Sequence, residues 1–276
     1  MKPKKSIGIV LINYFNDEEV ISFIRKYLLG QTEGGIQICV LNNGSNNGLL
    51  KVFCESETSI QYEDPGKNLG YIGGFLHVFK MMKGQKPDLL ILSNTDIEID
   101  ASLFESIGNI DIQQDEVMVG PTVISSRTGN NQNPFYEHRI STAKLKRLNL
   151  FFSFYLTYAS YQLMGIMKAI LKGSAGKSNR ENKRHVYAIH GSFMIFKTSF
   201  IEKYFTELKG APFLFGEEIQ FAEVAERHQL KTVYDPSLKV KHHEHATTKL
   251  FKSRKMLKLL KDSIAFRLKK REEEGA

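Results

Sequence analysis

The chain has 276 residues, 42% hydrophobic and 25% charged, the composition of an ordinary globular protein with material for one large domain or a domain with an appendage. Lys and Arg number 38 against 30 Asp and Glu, and the formal charge of +8 favours anionic partners: phosphates, nucleic acid or an acidic membrane surface. Cys39 and Cys54 alone exclude a disulfide framework and a thiolate zinc site, so a metal would be held through oxygen and nitrogen.

The basic start, Met1 to Lys5, leads directly into a short strand-like run instead of a signal peptide, so the expectation is a catalytic part in the cytoplasm. Apolar runs at 7–12, 36–41 and 89–92 alternate with helical patterns, notably at 18–29 and 73–82. This alternation predicts βαβ units and a mainly parallel sheet flanked by helices, an α/β fold of the Rossmann-like kind. The runs end in Asn13-Tyr14, Asn42-Asn43-Gly44-Ser45-Asn46 and Ser93-Asn94-Thr95-Asp96. Parallel strands would bring these polar ends to one edge of the sheet, where α/β proteins build their sites. Between the second and third runs, residues 66–75 form a Gly-rich loop leading into a helix, suited to close approach of a ligand to the backbone. It lacks the G-x-G-x-x-G fingerprint and the P-loop lysine, which counts against a dinucleotide oxidoreductase and a Walker-type ATPase.

Composition changes over 139–184, where a basic start, an aromatic-rich apolar segment at 148–171 and a polar, basic end read as a helical insertion. The apolar part approaches the roughly 20 residues that span a bilayer, but Asn149, Ser153, Gln162 and Lys168 dilute it, and a span would separate the strands before it from Glu217 after it. A monotopic or dimer-forming hairpin is expected in its place, with packing inside the protein as the alternative to membrane contact. Strand character resumes at 186–189, 193–196 and 232–234, with a helix at 219–228 opened by Glu217-Glu218. The tail, 249–271, sets Leu257, Leu260, Ile264 and Leu268 among lysines and arginines, the pattern of a basic amphipathic helix.

In order and spacing, the segments Ile9-Val10-Leu11-Ile12-Asn13-Tyr14, Val40-Leu41-Asn42-Asn43-Gly44-Ser45, Asn68-Leu69-Gly70-Tyr71-Ile72-Gly73-Gly74, Asn94-Thr95-Asp96, His190-Gly191-Ser192-Phe193-Met194, Gly216-Glu217-Glu218 and Val240-Lys241-His242 resemble the family 2 glycosyltransferases of the GT-A fold. The resemblance is to the bacterial branch that builds cell-surface polysaccharides, and covers residues 6 to about 245 apart from the insertion. It implies a nucleotide-sugar-binding half at 1–138, the insertion at 139–185, an acceptor and catalytic half at 186–248 and the basic helix at 249–276.

The resemblance also implies roles. Asn13 and Tyr14 match the end of the first strand, where base and ribose are held; Asn68, Gly70 and Asn94 match the donor side. Asn42 stands where the family usually has an aspartate that contacts the base, and an amide can donate as well as accept. Asn94-Thr95-Asp96 is an N-x-D variant of D-x-D, leaving Asp96 as the expected ligand of a divalent metal, Mn2+ or Mg2+, that neutralises the departing diphosphate. His242 matches a histidine near metal or diphosphate, with His243 and His245 competing. Gly191 and Ser192 fall on the acceptor side; Glu218 matches the base for the acceptor hydroxyl, and Glu217 an orienting acid.

The implied protein is an inverting enzyme acting on a nucleotide-sugar donor and a lipid-linked or glycan acceptor. It would sit peripherally at the inner face of the cell membrane against anionic lipid, with a homodimer as the other use of the insertion. Each motif also has a plain reading. Asn and Asp after strands suit turns, Glu217-Glu218 suits a helix N-terminus, and the tail can be a solvated face. A catalytically lapsed scaffold is the alternative function, hinted at by Asn42 and the incomplete D-x-D. A sugar nucleotidyltransferase would carry a Gly-rich basic loop after the first strand, which 13–18 is not. Nucleic acid is not expected, since no basic stripe interleaves with aromatics.

Overall fold

The computed structural model describes residues 3–44, 48–153, 182–210, 216–244 and 253–275. Its centre is a nine-stranded sheet of β1 (Ile7–Asn13), β2 (Ile36–Asn42), β3 (Ile60–Glu63), β4 (Leu89–Ser93), β5 (Ile97–Ile99), β6 (Glu116–Ser125), β7 (Arg184–Val186), β8 (Phe193–Lys197) and β9 (Lys231–His242). The spatial order is β3-β2-β1-β4-β8-β6-β9-β5, with β7 also pairing to β9. β1 runs parallel to β2 and β4, β2 to β3, and β6 to β9; β8 lies antiparallel between β4 and β6, so six strands share one direction. The mainly parallel α/β architecture expected from the alternation is present.

Burial on both faces explains the near-continuous apolar strands. In β1, Ile7, Ile9 and Leu11 face a core shared with α1 (Asp17–Tyr27), α2 (Leu49–Ser56) and α4 (Leu103–Gly108), the last two separated in sequence by α3 (Tyr71–Met81). Val10 faces the opposite core, where α3 packs through Phe75 and Phe79 and is joined by α6 (Thr198–Lys203), α7 (Phe205–Leu208) and α8 (Glu217–Arg227). A further helix, α5 (Thr142–Phe151), precedes α6 in the chain, and α9 (Ser253–Gly275) follows β9.

Several elements differ from the sequence reading. β6 was not expected: Gly120 and Pro121 interrupt its apolar run, and proline argues against a central strand. Its register against β9 shifts between Pro121 and Thr122, which accommodates the missing donor. The strand expected at 186–189 ends at Val186; beyond it, Ala188 makes only an isolated bridge to Tyr136. The strand expected at 232–234 extends to His242.

The tail is helical, but its apolar side is occupied. Ile264 packs on Phe152, with Leu148, Phe151, Leu257, Leu260 and Leu268 against them, so the start of the insertion and the tail cover each other. Most of the apolar segment at 148–171 lies outside the described residues, among which no helix is long and apolar enough to cross a membrane.

Candidate active site

The shared direction of β1, β2, β4 and β9 brings their carboxyl ends to one edge, and β8, running the other way, begins there. A cavity of about 310 Å³ opens at that edge. Tyr14, Asn68, Gly70, Asn94, Asp96, Gly191, Ser192, Glu217 and Glu218 all line it. The loops are cross-tied: Asn43 accepts from the Leu69 amide at 3.0 Å and donates to the Gly70 carbonyl at 2.9 Å, while Asn68 accepts from the Gly70 amide at 2.8 Å. The Asn94 amide donates to the Ser192 carbonyl at 2.9 Å, joining the end of β4 to the loop before β8.

Asp96 and His242 meet because Ile97 in β5 is registered with His242 in β9. His242 Nε2 lies 3.3 Å from Asp96 Oδ2. The ring's other nitrogen is 2.8 Å from Gln132 Oε1, and Gln132 Nε2 donates to Glu244 at 3.1 Å. That chain makes Nδ1 the donor and, in the neutral ring, turns the Nε2 lone pair toward the carboxylate. Two lone pairs facing each other call for a positive species between them, a proton or a cation. Among the described residues no group of three His, Cys, Asp or Glu side chains gathers to hold a metal. Asp96 and His242 would then form part of the shell of a hard divalent ion, whose remaining positions suit phosphate oxygens and water. His243 turns to Glu98, with Nε2 3.3 Å from Oε2, and His245 lies outside the described residues.

Glu218 sits across the cavity at the first turn of α8. The Gly191 amide donates to its Oε1 at 3.2 Å, and a Cβ on Gly191 would come within 2.6 Å of that oxygen. Burial first, and the charge of Glu217 second, push the Glu218 carboxyl up to about 7, against hydrogen bonds and the Arg267 charge that oppose the rise. A carboxyl so tuned accepts a proton near neutral pH.

Other predicted residues stand elsewhere. Asn13 is fully buried: its amide donates to Asp17 (2.9 Å), Asn42 (3.1 Å) and the Gly44 carbonyl (2.9 Å), and its oxygen accepts from the Asn16 amide. Asn42 in turn donates to Asp64 at 2.9 Å. These two amides build the loops around the cavity but do not line it.

Tyr71, His190 and Glu19 are among the lining residues that the sequence did not single out. The Tyr71 hydroxyl lies 3.0 Å from Asn94 Oδ1 and 3.2 Å from the Gly191 carbonyl; burial first, then Glu217, Glu218 and Asp96, raises its pKa and keeps it a donor. His190 accepts from the Ser192 amide at 3.2 Å, and burial followed by the His242 charge pushes it down to about 4, so it is neutral at physiological pH. Glu19 enters from α1, accepting from the Thr95 hydroxyl at 2.6 Å. The sequence held one signal for two of them: Tyr71 and His190 lie inside quoted motifs.

A family model described as glycosyl transferase family 2 matches residues 9–205. A crystal structure of GalNAc-T7 with UDP, GalNAc and Mn2+ superposes with a TM-score of 0.56 at 12% identity, covering 95% of this chain and 48% of that one. The mannosyltransferase PcManGT from Pyrobaculum calidifontis, in complex with GDP-Man and Mn2+, gives 0.55 at 10% identity, covering 89% and 59%. The chain therefore spans about half the length of the first and under two thirds of the second. No curated protein matches significantly. At such identities the structural likeness shows the fold, which is GT-A, and the match over 9–205 shows that the chain belongs to glycosyl transferase family 2.

Proposed function

We propose that the protein is an inverting, divalent-cation-dependent glycosyltransferase. It moves a sugar from a nucleotide-diphosphate donor to a lipid-linked or polysaccharide acceptor in bacterial cell-surface glycan synthesis. The observation that carries this reading is that Glu218 and Asp96 line one cavity of about 310 Å³ at the carboxyl edge of the sheet, with His242 against Asp96 just behind the lining. The donor nucleotide would enter past Tyr14, Asn43 and Asn68 and place its diphosphate by Asp96. A bound Mn2+ or Mg2+ would supply charge neutralisation for the leaving diphosphate; both structural neighbours were solved with Mn2+.

In the transfer step, Glu218 takes the proton of the acceptor hydroxyl while that oxygen bonds to the anomeric carbon. The carbon–oxygen bond to the diphosphate breaks on the opposite face, and the leaving group departs with the electron pair. Configuration inverts, and no covalent enzyme intermediate forms. Burial, and after it the charge of Glu217, keeps the Glu218 carboxyl basic, and Tyr71 ties Asn94 to Gly191.

Attachment to the cytoplasmic face of the membrane is part of the proposal, supported by the net charge of +8. Because the apolar side of α9 packs on α5, lipid contact would use the basic face of the tail and the insertion.

The test separates binding from chemistry. Asp96→Ala should abolish Mn2+-dependent binding of donor, whereas Glu218→Gln should bind donor as wild type does and lose transfer by about 10³-fold, the middle of the range for a general base. Transfer by Glu218→Gln at the wild-type rate would overturn the base assignment.

A further inference from the structure

Arg267, on the C-terminal helix α9, is only 5% exposed and reaches the head of α8. Its Nη2 donates to the Gly216 carbonyl at 3.0 Å. Gly216 has φ of +86°, directly precedes Glu217, and has no room for a side chain: a Cβ there would lie 1.4 Å from Nη2. The guanidinium thus fills the space that the glycine leaves.

A helix N-terminus is the positive end of its dipole, so a buried cation at the head of α8 gains nothing from the helix itself. What compensates it is the acidic pair: Arg267 and both Glu217 and Glu218 feel each other's charge. The rest of α9 holds the arginine in place. Arg271 pairs with Glu223 of α8 and donates to the Ile140 carbonyl at 2.6 Å, and Leu268 packs on the cluster of Ile219 and Ala222.

We propose that Arg267 is a positioning residue for transfer: from the C-terminal helix it clamps Gly216 and holds the Glu217–Glu218 pair facing the cavity, which makes the tail helix part of the active site. The proposal rests on the reading of Glu218 as the base. The groups facing Glu218 are Glu217 on its own helix, the Gly191 amide, Tyr71 from α3, Arg267 from α9, and Asp96, His190 and Glu19 around the cavity. Of these, Arg267 alone brings a permanent positive charge.

The experiment uses the full chain with ¹³C-labelled glutamate side chains, titrated by NMR in wild type, Glu218→Gln, Arg267→Met, Arg267→Gln and Arg267→Lys. Wild type should show a carboxyl titrating near neutral pH that is missing in Glu218→Gln. In Arg267→Met it should move to higher pH, and Arg267→Lys should bring it back toward wild type. An unchanged titration in Arg267→Met overturns the clamp. If the methionine variant does not fold, Arg267→Gln decides in the same way, because it removes the charge and keeps a hydrogen-bonding group. With UDP-, GDP- and dTDP-sugars and Mn2+, Arg267→Met and Arg267→Gln should also lose kcat at least tenfold with donor KM unchanged, and Arg267→Lys should recover part of the loss. The two readings fail separately: transfer retained by Glu218→Gln removes the base but leaves the Arg267 effect on the carboxyl, and the reverse pattern removes the clamp alone.

Discussion

Glu218 carries a consequence for pH that can be signed. Its ordinary value of 4.5 rises to about 7 in the folded protein. Between those values the native state holds a proton that the unfolded chain has lost, so this group lowers stability as pH climbs through the window. Glu218→Gln cannot ionise. It should be more stable than wild type above pH 7, by about 3 kcal/mol, with the difference vanishing below pH 4.5, as chemical denaturation at both pH values would show. If Glu218 is the base, the same ionisation predicts an acidic limb near pH 7 in the pH profile of transfer. Gly191→Ala tests the geometry of the same carboxyl: the new methyl would meet Glu218 Oε1 at 2.6 Å. Displacing the base by about 1 Å should reduce transfer about 10²-fold while Mn2+-dependent donor binding persists; a variant with wild-type turnover would contradict the placement. That Asp96 and Glu218 share one cavity was legible in part, because Asp96 lies in the short link between β4 and β5 and Glu218 in the first turn of α8, each within an ordered motif. The ligand roles of Asn13 and Asn42 came from the family resemblance; in the fold their amides tie the β1 and β2 loops together. Glu19 was not readable, since its partner Thr95 is 76 residues away.

The elements that the sequence announced most fully, β1, β2, β4, β8, α1, α3 and α8, are those with a single clear period or a continuous apolar run. Those it did not announce owe their state to tertiary contacts. β6 runs for ten residues through Gly120 and Pro121, and Gly120 is required where a Cβ would lie 2.4 Å from Ile189. The tail helix was announced as amphipathic, but its partner was not, because the pairing of α5 with α9 spans about half the chain. That pairing is reinforced by ions. Glu223 of α8 is paired with Arg139 and Arg271, and the Glu223 and Arg271 side chains are 10% and 8% exposed. Arg271→Met removes one of the two cations and the bond to the Ile140 carbonyl. Its cost should be near 3 kcal/mol, at the low end for breaking a buried pair because Arg139 remains. Urea denaturation of the two proteins measures it, and equal midpoints would show that α9 does not hold the catalytic helix.

For the molecule as a whole, the alternation of runs and the polar strand ends were enough to foresee a mainly parallel sheet with its site at one edge. They were not enough to foresee that β8 runs antiparallel and starts at that edge, which brings His190, Gly191 and Ser192 to the cavity. The architecture divides the labour: β1, β2 and the Gly-rich loop frame one side, β4 and β9 deliver Asp96 and His242, and α8, braced by α9, delivers Glu218. The most direct test of this division is a thermal-shift panel of UDP, dTDP, GDP and CMP and their sugar conjugates, with and without Mn2+, on wild type and Asp96→Ala. Ligand that binds only the folded state raises the midpoint by mass action. The account predicts a Mn2+-dependent rise for one nucleotide and its conjugate in wild type and none in Asp96→Ala; an equal rise in both proteins, or no rise with any nucleotide, would contradict it.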